Sequence, residues 1–190
     1  MPLDNDTMGM AAALPGLKED IFALYEAILA NFHVCAEYDL SSATPDFLAL
    51  EYVGGHQTRV FGSALGIAVK MRSFFDIHRK NEALFDFLKA LPAESKGKPL
   101  CRQAHPKARD LSLRDACNKI IHSLKVEFIP GHIESKRFDP PVTFTNEVPT
   151  EEVVLAGIYD SVPWVCTLNL LVFCSLAHEL LRWVESNEVV

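Results

Sequence analysis

The hydrophobic residues of this chain change period after Leu124, so two kinds of structure must share one molecule. Before that point apolar residues recur every three to four positions, as on the face of a helix. Leu17, Ile21, Leu24 and Ile28 mark a first helix that starts near Pro15, a first-turn proline, and runs to about Tyr38. Thr44, Pro45 and Asp46 make a cap-and-proline start for a short helix that Gly54 and Gly55 end. Residues 57–78 carry the widest apolar stripe, including Val60, Ala64, Ala68, Met71 and Phe75. A further helix spans 83–91 and stops at Pro92, and another spans 111–124, capped by Asp110 or Ser112. The stretch between them, 93–110, is rich in Lys, Pro and Ser and is expected to be an exposed linker.

Beyond Leu124 the period falls to two, the mark of strands. Val126, Phe128 and Pro130 open one extended stretch, and Val142 and Phe144 lie in a second. Residues 153–159 make a third and 162–168 a fourth, separated by the turn pair Asp160-Ser161. Asn169 caps a last helix running to about 186. The expected fold is α+β and mainly α: an antiparallel helical bundle with a small antiparallel sheet, at about 126–168, inserted before the last helix. Residues 1–13 show no periodic pattern and are expected to be disordered, leaving 14–187 as a single domain.

Composition narrows the class. The 190 residues are 49% hydrophobic and 23% charged, enough to build a core without disulfides or metals. No basic segment followed by an apolar run opens the sequence, and the most apolar window, 164–177, is too short to cross a bilayer. A cytoplasmic protein without membrane contact is expected. The five cysteines never form CxxC and read as buried reduced thiols. Cys174 and His178 are spaced to share a helix face, but two ligands do not hold zinc, so neither metal nor cofactor is expected. Neither GxGxxG, nor a P-loop, nor GxSxG occurs, which sets aside dinucleotide, P-loop and serine-hydrolase chemistry.

Charge is uneven. The chain carries −7 overall, yet residues 96–125 hold eight basic side chains against Asp110 and Asp115, a local +6. Within it Arg102, Lys107, Arg109 and Lys119 are candidates for contact with a phosphate chain, since screening confines such fields to roughly 8 Å. No aromatic residue interrupts this stretch to stack on bases. Arg114, Asn118 and His122 recur at i, i+4 and i+8 and form one polar ridge. A guanidinium, an amide and an imidazole suit phosphoryl chemistry: the cation grips phosphate oxygens and the imidazole moves a proton near neutral pH. The same pattern also suits an ordinary polar helix face with His122 in a structural hydrogen bond.

The run Leu113-Arg114-Asp115-Ala116-Cys117-Asn118-Lys119-Ile120-Ile121-His122 resembles the signature helix of an uncharacterised bacterial group of HEPN-like proteins. The later Leu155-Ala156-Gly157 and Trp164-Val165 resemble the β-hairpin that follows it. This resemblance, over about 58–185, implies a helical bundle that forms homodimers. It also implies a metal-independent RNase or RNA-binding protein of a bacterial defence or toxin-type system, with His122 as the histidine of the nuclease motif. That motif leaves four to six residues between its Arg and its His, so the Arg would stand where this chain has Cys117, Ala116 and Asp115. Arg114 stands one residue too early, and non-catalytic relatives of this kind exist. The alternative is therefore a non-catalytic homodimeric helical module that binds a partner protein.

Overall fold

The computed structural model describes residues 5–37, 47–95, 97–136 and 143–187. It is a mixed α+β fold whose elements follow in order as α1 (Asn5–Glu37), α2 (Phe47–Ile77), α3 (Glu82–Ala90), the short strands β1 (Glu94–Ser95) and β2 (Lys98–Pro99), β3 (Cys101–His105), β4 (Arg109–Asp110), α4 (Leu113–Ile121), β5 (Lys125–Lys136), β6 (Thr143–Tyr159), β7 (Val162–Asn169) and α5 (Leu170–Ser186). β1 and β2 pair as a separate hairpin, and the other five strands form one antiparallel sheet in the order β4-β3-β7-β6-β5.

The helices cover one face of that sheet. Alternation along the strands decides which residues they meet. Val153, Leu155 and Gly157 of β6 and Trp164, Cys166 and Leu168 of β7 are buried, while Val154, Ala156, Val165 and Thr167 between them are only partly covered. Against the buried face lie Leu113, Ala116, Cys117 and Ile120 of α4, along with Phe173, Ala177 and Leu180 of α5. The stripes read from the sequence join the same core: Leu17, Ile21, Leu24 and Ile28 on α1, then Val60, Ala64, Ala68, Met71 and Phe75 on α2.

Local caps explain where several helices start. The Asn81 side chain accepts the Leu84 N–H at 2.9 Å, Ser112 accepts that of Asp115 at 3.2 Å, and Asn169 accepts that of Val172 at 3.0 Å. The β6–β7 connection is a two-residue turn in which Asp160 and Ser161 both have positive φ, 46° and 63°, as tight hairpins of right-handed twist require.

Four expectations are corrected. Helix α1 begins at Asn5, so residues 5–13, expected to be disordered, are helical and Pro15 lies inside the helix. Gly54 and Gly55 do not end a helix, because α2 runs through them. The Arg59 guanidinium reaches back across the pair, donates to the Tyr52 carbonyl at 3.0 Å and lies 5.0 Å from the Tyr52 ring centre. His56 in the same turn is buried, with its ring centre 5.7 Å from that of Tyr52. Packing outweighs a helix-propensity penalty of about 1 kcal/mol per glycine. The supposed linker 93–110 supplies four strands, and Leu100, Cys101 and Gln103 within it are buried. The sheet is consequently larger than an insertion before the last helix: β3 and β4 precede α4, and β3 pairs with β7. The expected second and third extended stretches are one strand, β6. The cap at Thr44, Pro45 and Asp46 lies outside the described residues.

Candidate functional site

Helix α4 is short, nine residues, and amphipathic. Its buried side rests on the sheet, which leaves Asp115, Asn118, Lys119 and His122 at i, i+3, i+4 and i+7 along its outer side. These four form one wall of a cavity of about 410 Å³. Arg72 of α2, Arg109 of β4, Tyr159 of β6 and Trp164 of β7 complete its lining.

The sheet holds this wall in place through a close approach. Gly157 and Trp164 are cross-strand partners, and α4 ends directly above them. A Cβ on Gly157 would lie 2.7 Å from the His122 carbonyl oxygen and 2.5 Å from Cζ2 of the Trp164 ring. Only glycine leaves room for the helix end there. The Leu124 N–H, two residues on, donates to the Ala156 carbonyl at 2.8 Å and ties the exit of α4 to β6.

The cavity is cationic. The Lys119 ammonium stands 4.0 Å from the Trp164 ring centre. Arg72 Nη1 lies 2.9 Å from Asp76 Oδ1, although its N–H is not aligned for a hydrogen bond. Asp115 is the single carboxylate among the described lining residues, and it accepts the Ser112 hydroxyl at 3.0 Å. His122 is exposed, and neither its ring nor the Asn118 amide has a hydrogen-bond partner among the described residues.

The structure sorts the eight cations of the basic stretch. Lys98 reaches Glu151 at 2.5 Å, Arg102 reaches Asp110 at 3.2 Å, and Lys125 reaches Glu127 at 2.9 Å. Arg114 is a correction to the expected ridge. Its guanidinium turns away from the cavity, 3.7 Å from Asp76 Oδ1 and 5.7 Å from the Phe85 ring centre. Helix geometry gives the reason. At about 100° per residue, Arg114 sits some 40° to one side of Asn118, whereas Asp115, Lys119 and His122 fall on the other side. Lys107, Arg109 and Lys119 have no carboxylate partner among the described residues, and of these Arg109 and Lys119 line the cavity. Lys96 is outside the described residues.

Four of the expected site residues therefore come together, Arg109, Asn118, Lys119 and His122, while Arg102, Lys107 and Arg114 do not join them. Arg72, Tyr159 and Trp164 were missed. The two-residue turn carried a signal for two of them, because period-two counting from Asp160-Ser161 places Tyr159 and Trp164 on one face. Nothing local to Arg72 announces that α2 packs against α4.

The thiols are shielded from solvent. Cys101, Cys117, Cys166 and Cys174 are free and buried, and the Cys35 side chain lies outside the described residues. Hydrogen bonding to Cys166, with burial, pushes the Cys101 thiol well up, and burial pushes Cys117 and Cys174 to about 12. Among the described residues no group of three or more His, Cys, Asp or Glu side chains is placed to hold a metal ion, and no helix is long and apolar enough to cross a membrane. Comparison with known protein families, with curated proteins and with solved structures finds no match to this chain.

Proposed function

We propose that this chain is a HEPN-like, metal-independent endoribonuclease of a cytoplasmic bacterial defence or toxin-type system, working through the α4 cavity. The observation that carries the reading is the exposed His122 imidazole on the wall of a cavity also lined by Arg72, Arg109 and Lys119. An RNA phosphate in the cavity meets fixed cations, and its ribose hydroxyl meets an imidazole placed as a general base.

In this reading neutral His122 accepts the proton of a ribose 2′-hydroxyl, and the freed oxygen attacks the adjacent phosphorus. The bond to the 5′-oxygen breaks, that oxygen takes a proton from water as it leaves, and His122 gives its own proton to solvent. The products are a 2′,3′-cyclic phosphate and a 5′-hydroxyl. Arg109 and Lys119 oppose the charge that grows on the phosphorane oxygens, a part that Arg114, with its guanidinium beside Asp76, does not take. Asn118 orients the phosphate. A homodimer brings two such cavities into one particle. The test is cleavage of a mixed RNA pool in EDTA by wild type and by His122→Ala. Cleavage by wild type alone supports the reading; equal cleavage by both, or by neither at high protein concentration, overturns it.

A second reading rests on a different surface. Phe22, Tyr25 and Leu29 of α1 recur at i, i+3 and i+7 and remain 47%, 40% and 43% exposed. An apolar stripe of that kind suits a non-catalytic homodimer that binds a partner protein. Light scattering at micromolar concentration tests the dimer common to both readings, and a mass near 21.2 kDa would refute it.

A further inference from the structure

We propose that Tyr159 and Val162 form a base-binding ledge at the mouth of the cavity, so that its ligand is single-stranded rather than duplex nucleic acid. This inference rests on the reading of the cavity as an RNA site. Tyr159 and Val162 are direct cross-strand partners, the last pair before the Asp160-Ser161 turn. They lie two residues beyond Gly157 and before Trp164, so period-two alternation sets them on the same sheet face, the one that carries α4. Yet they extend past the end of that helix. Tyr159 is 70% exposed and Val162 47% exposed, and Tyr159 itself lines the cavity.

An exposed phenol ring beside an exposed aliphatic side chain makes a flat apolar platform. Trp164, buried at 3% exposure and covered by Lys119, is not accessible for the same use. Arg72, Arg109 and Lys119 supply positive charge along the cavity that the platform borders. An anionic group joined to a flat apolar ring matches both halves, which is the composition of one unpaired nucleotide. A duplex hides its base faces in the stack and offers the cavity only phosphates and sugars. Stacking on an aromatic side chain is sequence-tolerant, because every base has such a face, so little sequence preference is expected from the ledge. The turn that carries it is tight, which fixes the backbone from which the Tyr159 ring projects.

The experiment measures binding by fluorescence anisotropy with three probes: a short single-stranded 2′-O-methyl RNA, which has no free 2′-hydroxyl to react, the same strand in duplex with its complement, and inorganic polyphosphate. Wild type is expected to bind the single strand most tightly. Tyr159→Ala should weaken single-strand binding about tenfold, in line with the loss of one stacked base, and leave polyphosphate binding unchanged. Tyr159→Phe, which keeps the ring, should bind as wild type does. Arg109→Ala should weaken all three probes. Equal affinity for single strand and duplex, or an unchanged single-strand affinity in Tyr159→Ala while Arg109→Ala still weakens it, overturns the ledge and leaves the cavity reading standing. Failure of wild type to bind any of the probes overturns both.

Discussion

The ammonium of Lys119 lies 4.0 Å from the centre of the Trp164 ring, so one wall of the cavity is held to its floor by a cation on an aromatic face. Such a contact contributes about 0.5–1 kcal/mol where water still reaches the charge. It also keeps a long, flexible side chain at the cavity instead of free in solvent.

Lys119→Met keeps the apolar stem over the ring and removes the charge. Stability should change by no more than about 1 kcal/mol. RNA binding should respond more clearly: if Lys119 meets a phosphate, the slope of log affinity against log salt should flatten by about 0.7 for a single strand. Anisotropy titrations over a salt series measure that slope, and an unchanged slope would remove Lys119 from the contact.

Gly157→Ala places a methyl group between the His122 carbonyl and the Trp164 ring, 2.7 Å and 2.5 Å away. Either α4 lifts or the indole turns, and forced overpacking of this kind costs about 1–3 kcal/mol. The melting temperature should fall by about 2–4 °C for each kcal/mol. Nucleic-acid binding by the folded fraction should fall as well, because the displaced element carries Asn118, Lys119 and His122.

Ser161 has φ of 63°, a left-handed conformation that disfavours side chains bearing a Cβ. Ser161→Gly relieves about 1–2 kcal/mol of strain and returns part of that gain through the greater freedom of the unfolded chain. A net stabilisation of roughly 0.5–1 kcal/mol is expected from urea unfolding. A loss of stability would show that the turn is held by more than its backbone.

His56, buried within α2, has its pKa lowered to about 4, first by burial and then by the nearby Arg59 cation. The unfolded chain, with an ordinary imidazole value of 6.5, therefore takes up the proton first as pH falls. The stability that depends on neutral His56 is fully present above about 6.5 and is lost as pH falls toward about 4. Urea midpoints of wild type should drop through that window. His56→Gln, which cannot titrate, should show a shallower drop, and identical pH profiles would count against the assignment.

Much of the architecture was legible because its signals are short-range. Ser112 and Asn169 each cap a helix within three residues of themselves, and the Asp160-Ser161 turn sets the register of β6 on β7. The misses come from interactions remote in sequence. β3 alternates buried Cys101 and Gln103 with exposed Arg102 and Ala104, a pattern only half apolar, and it becomes a strand because β7 pairs with it. Gly54 and Gly55 stay helical because Arg59 spans them and α1 packs alongside. In the site, the α4 residues were readable by helical spacing, but a 40° drift per four residues separated Arg114 from the face that the cavity uses. The aromatic residues absent from the basic stretch are provided by the β6–β7 hairpin, which folding brings beside it.

The central claim, that His122 draws a proton from a ribose hydroxyl in the α4 cavity, is tested most directly with a chimeric oligonucleotide. A cleavage site is mapped on RNA in EDTA, and the one ribose at that site is then replaced by deoxyribose. Wild type should leave a 2′,3′-cyclic phosphate and a 5′-hydroxyl on the all-RNA strand and should spare the substituted one, and His122→Ala should cut neither. Cleavage of the deoxy-substituted strand at the same bond, or equal cleavage of RNA by His122→Ala, would contradict the account.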